Sequence, residues 1–356
     1  MRQIFTLRRR LLVVAGAVAL ACVSAPTLAQ ARKLAVHVGN PAPSVVSLQM
    51  YVAQQAGFFA ENGLDVEVRY SSGAPQAVQL MAAGQADVAL GTIEPLVSGY
   101  EKGVRGKAFI RLTNKMIYYV AVPADSKVQR IEELKGQNIG VANLGGAAVA
   151  MTRAILRTGN AEPTTLLPVG IGEQAMTALR SDKVQALGLW SNAYYTLERN
   201  GNRFRYFTHP TLGNYGNVVM MTSDATLAKK KAELCGFSRS IAKASLFIVE
   251  NPSAALRMYW ATVPSAKVGA SEVDSIRNGM VELEPQIREF DIGFPPKAKY
   301  GVFDQALLAQ YVGLLKDQGL TTATPAPSDL VTDSMAGCMN DFDPAAVRAK
   351  AKNWKG

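Results

Sequence analysis

A chain of 356 residues is long enough for two lobes with separate cores, and 48% apolar with 19% charged residues is the make-up of a globular protein, not a disordered one. The formal charge is +10, but four of the 38 basic residues (Arg2, Arg8, Arg9, Arg10) and none of the 28 acidic ones lie in the first 31 positions, which leaves about +6 for the rest. That charge is spread out, with no basic run interleaved with aromatics, so nucleic acid is excluded as a leading partner.

Residues 1–31 have the pattern of a secretory signal peptide: Arg8, Arg9 and Arg10, then an apolar run over 11–23, then small residues offering cleavage near Ala29 or Ala31. The run is too short, and too soon broken by Pro26, to favour a permanent span. The expectation is an exported, periplasmic protein. A lipid anchor at Cys22 is the weaker alternative, and the Arg8-Arg9-Arg10-Leu11-Leu12 run leaves general and twin-arginine export both open.

Beyond the signal, residues 33–38 alternate as a first strand and turn at Gly39-Asn40-Pro41. Residues 45–55 are apolar at helical spacing and end at Gly57; residues 64–68 alternate as a second strand. Ser71-Ser72-Gly73 is a polar loop before a helix over 76–83, and a buried strand over 87–90 leads through Thr92 and Glu94 into another helix reaching Tyr100. This alternation marks an α/β domain with a largely parallel sheet, whose ligand loops gather beyond the carboxyl ends of the strands.

A strand over 118–122 precedes residues 131–156, the stretch that organises the chain. They predict a short helix (131–134), a strand (138–142), a polar loop Asn143-Leu144-Gly145-Gly146 and a helix from Ala147. Gly145 and Gly146 let backbone approach a ligand, and the first helical turn offers unpaired N–H groups suited to an anion. The unit then repeats at an offset of 98: Gln76-Ala77 falls on Gln174-Ala175, Thr92 on Trp190, Glu94 on Asn192 and Gly103 on Gly201. Two lobes of one design imply a cleft between them.

Extended runs over 205–207 and 218–222 return the chain to the first lobe, and crossings near 119–123 and 218–223 predict a double hinge. The predicted organisation is 1–31 signal peptide, 32–120 first part of lobe 1, 121–218 lobe 2, and 219–356 the second part of lobe 1. Helices over 225–249, 254–260, 303–318 and 344–353 wrap the tail over lobe 1. Cys235 and Cys338 either pair in an oxidising compartment or stay as two buried thiols.

The segments QLMAAGQADVALG (79–91), IEELKGQNIGVANLGG (131–146), LRSDKVQALGLW (179–190), ENPSAALRMYW (250–260) and NDFDPAAVRAKAKNW (340–354) resemble the SsuA/THI5-like (NMT1-like) substrate-binding proteins of ABC importers. The resemblance implies the type II periplasmic-binding-protein fold: α/β, two lobes, each a mixed sheet flanked by helices, joined by a double crossover hinge. It implies a monomer that captures a small ligand between the lobes and delivers it to a membrane permease with its ATPase, without cofactor, metal or nucleic acid.

Carried onto this sequence, the ligand-side candidates are Asn40, Ser44, Ser71, Ser72, Gly73, Thr92 and Glu94 in lobe 1. Those of lobe 2 are Asn143, Gly145, Gly146, Trp190 and Asn192, with Asn214 near the hinge. The serines and Thr92 offer hydroxyl donors, and Trp190 either stacks on a planar ligand or supports its loop. A sulfonate, taurine or nitrate is the leading ligand class. Glu94 at the cleft mouth speaks against a bare anion and keeps a pyrimidine-type ligand open. A receptor serving a sensor or a non-ABC transporter is a further alternative. A THI5-type enzyme is the weakest, because its cysteine-rich motif is absent and the sequence has no G-x-S-x-G or H-E-x-x-H and only two histidines. If backbone at Gly146 approaches the ligand, Gly146→Leu should lower affinity in a binding titration; wild-type affinity would remove that loop from the site.

Overall fold

The computed structural model describes residues 31–144, 147–290 and 293–355. Residues 1–30 of the predicted signal peptide, and the glycines Gly145 and Gly146 of the predicted ligand loop, lie outside the described residues.

Ten strands form two five-stranded sheets of matching design. In chain order they are β1 (Arg32–Val38), β2 (Leu64–Tyr70), β3 (Val88–Thr92), β4 (Gly106–Arg111), β5 (Tyr118–Pro123), β6 (Asn138–Val141), β7 (Thr165–Pro168), β8 (Ala186–Trp190), β9 (Phe204–Phe207) and β10 (Val218–Ser223). The first sheet has the order β2-β1-β3-β10-β4 and the second β7-β6-β8-β5-β9. Within each, three strands run parallel, and the strand that enters from the other lobe, β10 or β5, pairs antiparallel on both sides. Sequence patterning predicted the parallel members other than β7 and also missed β4.

Central strands are apolar on both faces because both faces are covered by helices. Val88 and Leu90 of β3 and Val218 and Met220 of β10 join one core with the helices Leu48–Gln55, Lys231–Glu250 and Pro252–Thr262. Their neighbours Ala89, Val219 and Met221 join a second core with the helices Ala74–Ala82, Glu94–Tyr100 and Gln305–Asp317. In the second sheet Val120 and Val122 of β5 face one core and Ala121 the other. Within the first core, Phe59 and Phe237 stack with ring centroids 5.7 Å apart.

The tail helices pack on lobe 1, with two departures from expectation. The helix predicted over 225–249 is two, Asp224–Lys229 and Lys231–Glu250. A 19-residue helix, Glu272–Phe290, was not predicted; Gly279 and Pro285, residue types that disfavour helix interiors, are tolerated inside it. The structure joins Cys235 and Cys338 in a disulfide that ties the Lys231–Glu250 helix to the tail, with Cα atoms 5.8 Å apart.

The crossings lie a few residues before the predicted ones. Residues 119–123 sit inside β5 and 218–223 are β10 itself, so the chain changes lobes over 112–117 and again over 208–217. Accordingly 118–120 belong to the lobe 2 sheet. The two crossings are bonded to each other: Leu112 N–H donates to the Val218 carbonyl at 2.9 Å, Met116 N–H to the Gly213 carbonyl at 3.1 Å, and Val218 N–H to Thr113 Oγ1 at 3.3 Å. Contact is closest at Gly216, where an added Cβ would lie 1.6 Å from the Thr113 carbonyl oxygen. Only glycine fits, and the obstacle is backbone that cannot rotate away. Gly216→Ala should therefore destabilise the protein by at least the ~1–3 kcal/mol typical of overpacking, measured by chemical denaturation. An unchanged midpoint would show that the crossings separate freely.

Candidate functional site

At the carboxyl end of β3 the chain turns from Thr92 into the Glu94–Tyr100 helix, with Pro95 in its first turn, where a missing N–H costs nothing. The turn is held by the second crossing, since Ile93 N–H donates to the Asn217 carbonyl at 3.0 Å. The Glu94 side chain is thereby directed inward and is only 6% exposed. Its Oε1 accepts from Asn217 Nδ2 at 2.7 Å and from the Tyr311 hydroxyl. Among the described residues its Oε2 has no partner, nor do the Asn217 Oδ1 and Tyr215 hydroxyl oxygens, and all three are buried. The sequence placed Glu94 at the cleft mouth; it lies instead at the hinge floor, because the adjacent crossing supplies an amide donor.

Tyr118, the first residue of β5, completes the floor from the other lobe. Burial pushes the ionisation of its hydroxyl well above the ordinary phenol range, with the Glu94 charge adding to the rise and the Thr92 and Asn217 side chains opposing it. It therefore stays un-ionised. Tyr118 pairs across the sheet with Trp190, the last residue of β8. The indole is half-buried and packs against the cores of both lobes. Thr92, Glu94, Tyr118, Trp190 and Asn217 thus form one contiguous set at the junction of the lobes.

The remaining predicted residues divide. Asn40 donates through Nδ2 to Ser44 Oγ at 3.1 Å and to the Ala42 carbonyl at 2.8 Å, so this pair shapes the loop after β1. Ser71 is buried and shares a 3.1 Å hydrogen bond with His37 Nδ1, which commits its hydroxyl to the sheet. Ser72 is exposed, with its N–H donating to Gln76 Oε1 at 2.6 Å, and Gly73 caps the Ala74–Ala82 helix. Asn143 is exposed and Asn192 half-buried. Asn214 accepts from Lys115 Nζ at 2.6 Å, which commits it to the hinge surface.

A second buried carboxylate was missed along with its helix. Glu289 lies near the end of the Glu272–Phe290 helix and is 6% exposed. Its Oε1 accepts from the Tyr195 hydroxyl at 2.7 Å and its Oε2 from Ser191 Oγ at 3.3 Å, with the Tyr119 hydroxyl close by. Desolvation dominates these bonds and pushes its pKa up to about 7. Tyr118-Tyr119 at a lobe crossing was the one signal in the sequence that could have flagged both clusters.

Comparison with known proteins places this geometry in a family. The NMT1/THI5-like family model matches residues 45–255. The chain belongs to the NMT1/THI5-like family. It is 26% identical over 227 residues to the formylaminopyrimidine-binding protein of Halalkalibacterium halodurans, a match covering 61% of this chain and 66%, just short of two thirds, of that protein. The periplasmic aliphatic sulphonate binding protein SsuA of Escherichia coli superposes with a TM-score of 0.65 at 14% identity, over 84% of this chain and 92% of SsuA. The desulfurization enzyme DszB, solved as a cysteine-to-serine mutant in complex with biphenyl-2-sulfinic acid, superposes with a TM-score of 0.55 at 14% identity, over 86% of this chain and 98% of DszB. The fold is that of the substrate-binding proteins of ABC importers.

Trp190 joins both cores, so Trp190→Ala should lower unfolding stability by ~2 kcal/mol, below the range for a fully buried indole. It should also weaken ligand binding. Full stability in denaturant titration would show that the indole does not join the lobes.

Proposed function

We propose that the protein is the periplasmic substrate-binding component of an ABC importer, and that its ligand is a small planar molecule carrying N–H donors, of the aminopyrimidine type. The observation that carries this reading is the acceptor-rich hinge floor. Among the described residues Glu94 Oε2 and Asn217 Oδ1 are buried without partners, and each such acceptor costs roughly 1–3 kcal/mol until a donor reaches it. A ligand N–H relieves that cost, whereas a bare sulfonate or nitrate meets a carboxylate there. The aromatic face of Trp190 beside the floor suits a planar ring. The formylaminopyrimidine-binding relative supports the same class, while the sulfonate-binding structures support the small-anion reading.

Binding, not catalysis, is the role these groups suit. His37 is occupied by Ser71, His209 Nδ1 accepts from the Leu212 N–H at 3.1 Å, burial lowers the pKa of both, and the two described cysteines are joined to each other. In the proposed cycle a monomer closes its lobes on the ligand and docks on a permease with its ATPase. Closure is driven only by the ligand's preference for the closed form.

The test is calorimetric titration of the exported protein, stripped of co-purified ligand, with a hydroxymethyl-aminopyrimidine and its N-formyl derivative, taurine, ethanesulfonate and nitrate. The expected result is saturable binding of an aminopyrimidine, weakened at least tenfold, about 1.4 kcal/mol, by Glu94→Gln. Binding of ethanesulfonate or nitrate with aminopyrimidines silent overturns the ligand class.

A further inference from the structure

The Glu272–Phe290 helix belongs to lobe 1 on one face and touches lobe 2 on another. Ile276, Met280, Leu283 and Ile287 join the lobe 1 core, and Gly279 lets the helix approach Leu256 and Trp260, where an added Cβ would lie 2.8 Å from Leu256 Cδ1. From the same helix Glu282 and Glu289, seven residues apart and so on one face, reach the Ser191–Arg199 helix of lobe 2.

Their partners differ in kind. Glu282 Oε1 pairs with Arg199 at 2.6 Å; burial raises its pKa and the Arg199 charge opposes that rise. Among the described residues the Glu289 carboxyl is hydrogen-bonded by the neutral hydroxyls of Tyr195 and Ser191, with the Tyr119 hydroxyl close by. Its neighbour Arg288 is exposed and attracts it weakly, and Tyr119 and Tyr195 are themselves driven to high pKa by burial. The Glu289 carbonyl accepts from the Asn114 N–H at 2.5 Å, so the backbone of this helix end is fixed to the first crossing. The carboxyl group therefore spans the lobes close to the axis about which they move.

We infer that Glu289 is a proton-sensitive clasp between the C-terminal helix of lobe 1 and lobe 2, so that closing the cleft takes up a proton. A carboxylate buried among neutral donors is disfavoured as an anion, and opening returns it to water. The direction follows from linkage. The docked carboxyl holds its proton to about pH 7, against an ordinary value of 4.5 when solvated. Docking is therefore unopposed below that ordinary value, and it weakens as pH rises to about 7. The inference rests on the lobes moving as the proposed function requires, but not on which ligand they hold.

The experiment needs no ligand. Spin labels at Lys102→Cys in lobe 1 and Lys135→Cys in lobe 2, both exposed, report the interlobe distance in the ligand-free protein by pulsed electron resonance. The closed population should fall at least tenfold between about pH 5 and about pH 8. Glu289→Gln, which keeps the shape of the protonated acid, should hold the closed population at its acid level throughout. Tyr195→Phe, which removes one donor to the anion, should move the transition to higher pH. Distances independent of pH in the wild type overturn the clasp, and so does an equal shift in wild type and Glu289→Gln. A clasp that responds to pH in a protein that binds no aminopyrimidine would overturn the ligand class alone.

Discussion

Two strands of backbone pressed together between the lobes set the terms for the rest of the molecule. The carbonyl of Thr113 occupies the space that any side chain at 216 would need, and hydrogen bonds on either side lock Leu112 to Val218 and Met116 to Gly213. Because both crossings are held at one place, each sheet receives one strand from beyond the hinge, β10 in the first and β5 in the second, antiparallel to its neighbours. The carboxyl ends of the parallel strands in the two sheets then open toward the same junction. A cleft at that junction follows from the topology, and its floor is made of the residues that flank the crossings.

Those flanking residues give the floor its chemistry. Asn217 and Tyr215 come from the second crossing, Tyr118 from the end of the first, and Glu94 from the turn that the second crossing pins. Buried polar groups beside a moving joint are costly unless satisfied, and a network with partners still to find is sensitive to what enters it. The same rule separates the two carboxylates of the Glu272–Phe290 helix. Burial raises the pKa of both, but Glu282 has an arginine across the lobe boundary to oppose the rise, whereas among the described residues the Glu289 carboxyl is bonded by hydroxyls.

Much of this fold was legible in the sequence, and the reasons are local. Alternation in 33–38 and 64–68, the Gly-bounded helices and the offset of 98 all survive as elements, because strand and helix periods are written directly in side-chain polarity. The misses have physical causes. β7 has only four residues and β4 no clear alternation, and the Glu272–Phe290 helix contains Pro285 and Gly279, the latter close against Leu256 and Trp260. The candidate site was legible by position but not by direction. Thr92, Glu94 and Trp190 were found at strand ends, yet nothing in the sequence shows that Glu94 turns inward to Asn217 and Tyr311, partners 123 and 217 residues away. Nor does the sequence show that Ser71 is buried and hydrogen-bonded to His37 on the neighbouring strand.

The central claim is that a donor-bearing ligand enters at the junction of the lobes and draws them together over Trp190. The sequence has three tryptophans, so replacing Trp260 and Trp354 with phenylalanine leaves Trp190 as the sole indole reporter. Titrating that variant with an aminopyrimidine while following Trp190 emission tests the claim most directly. The account predicts a saturable one-to-one change in emission that disappears in the Glu94→Gln background. A ligand that raises the melting temperature while Trp190 emission stays constant would place binding away from the hinge floor and contradict it.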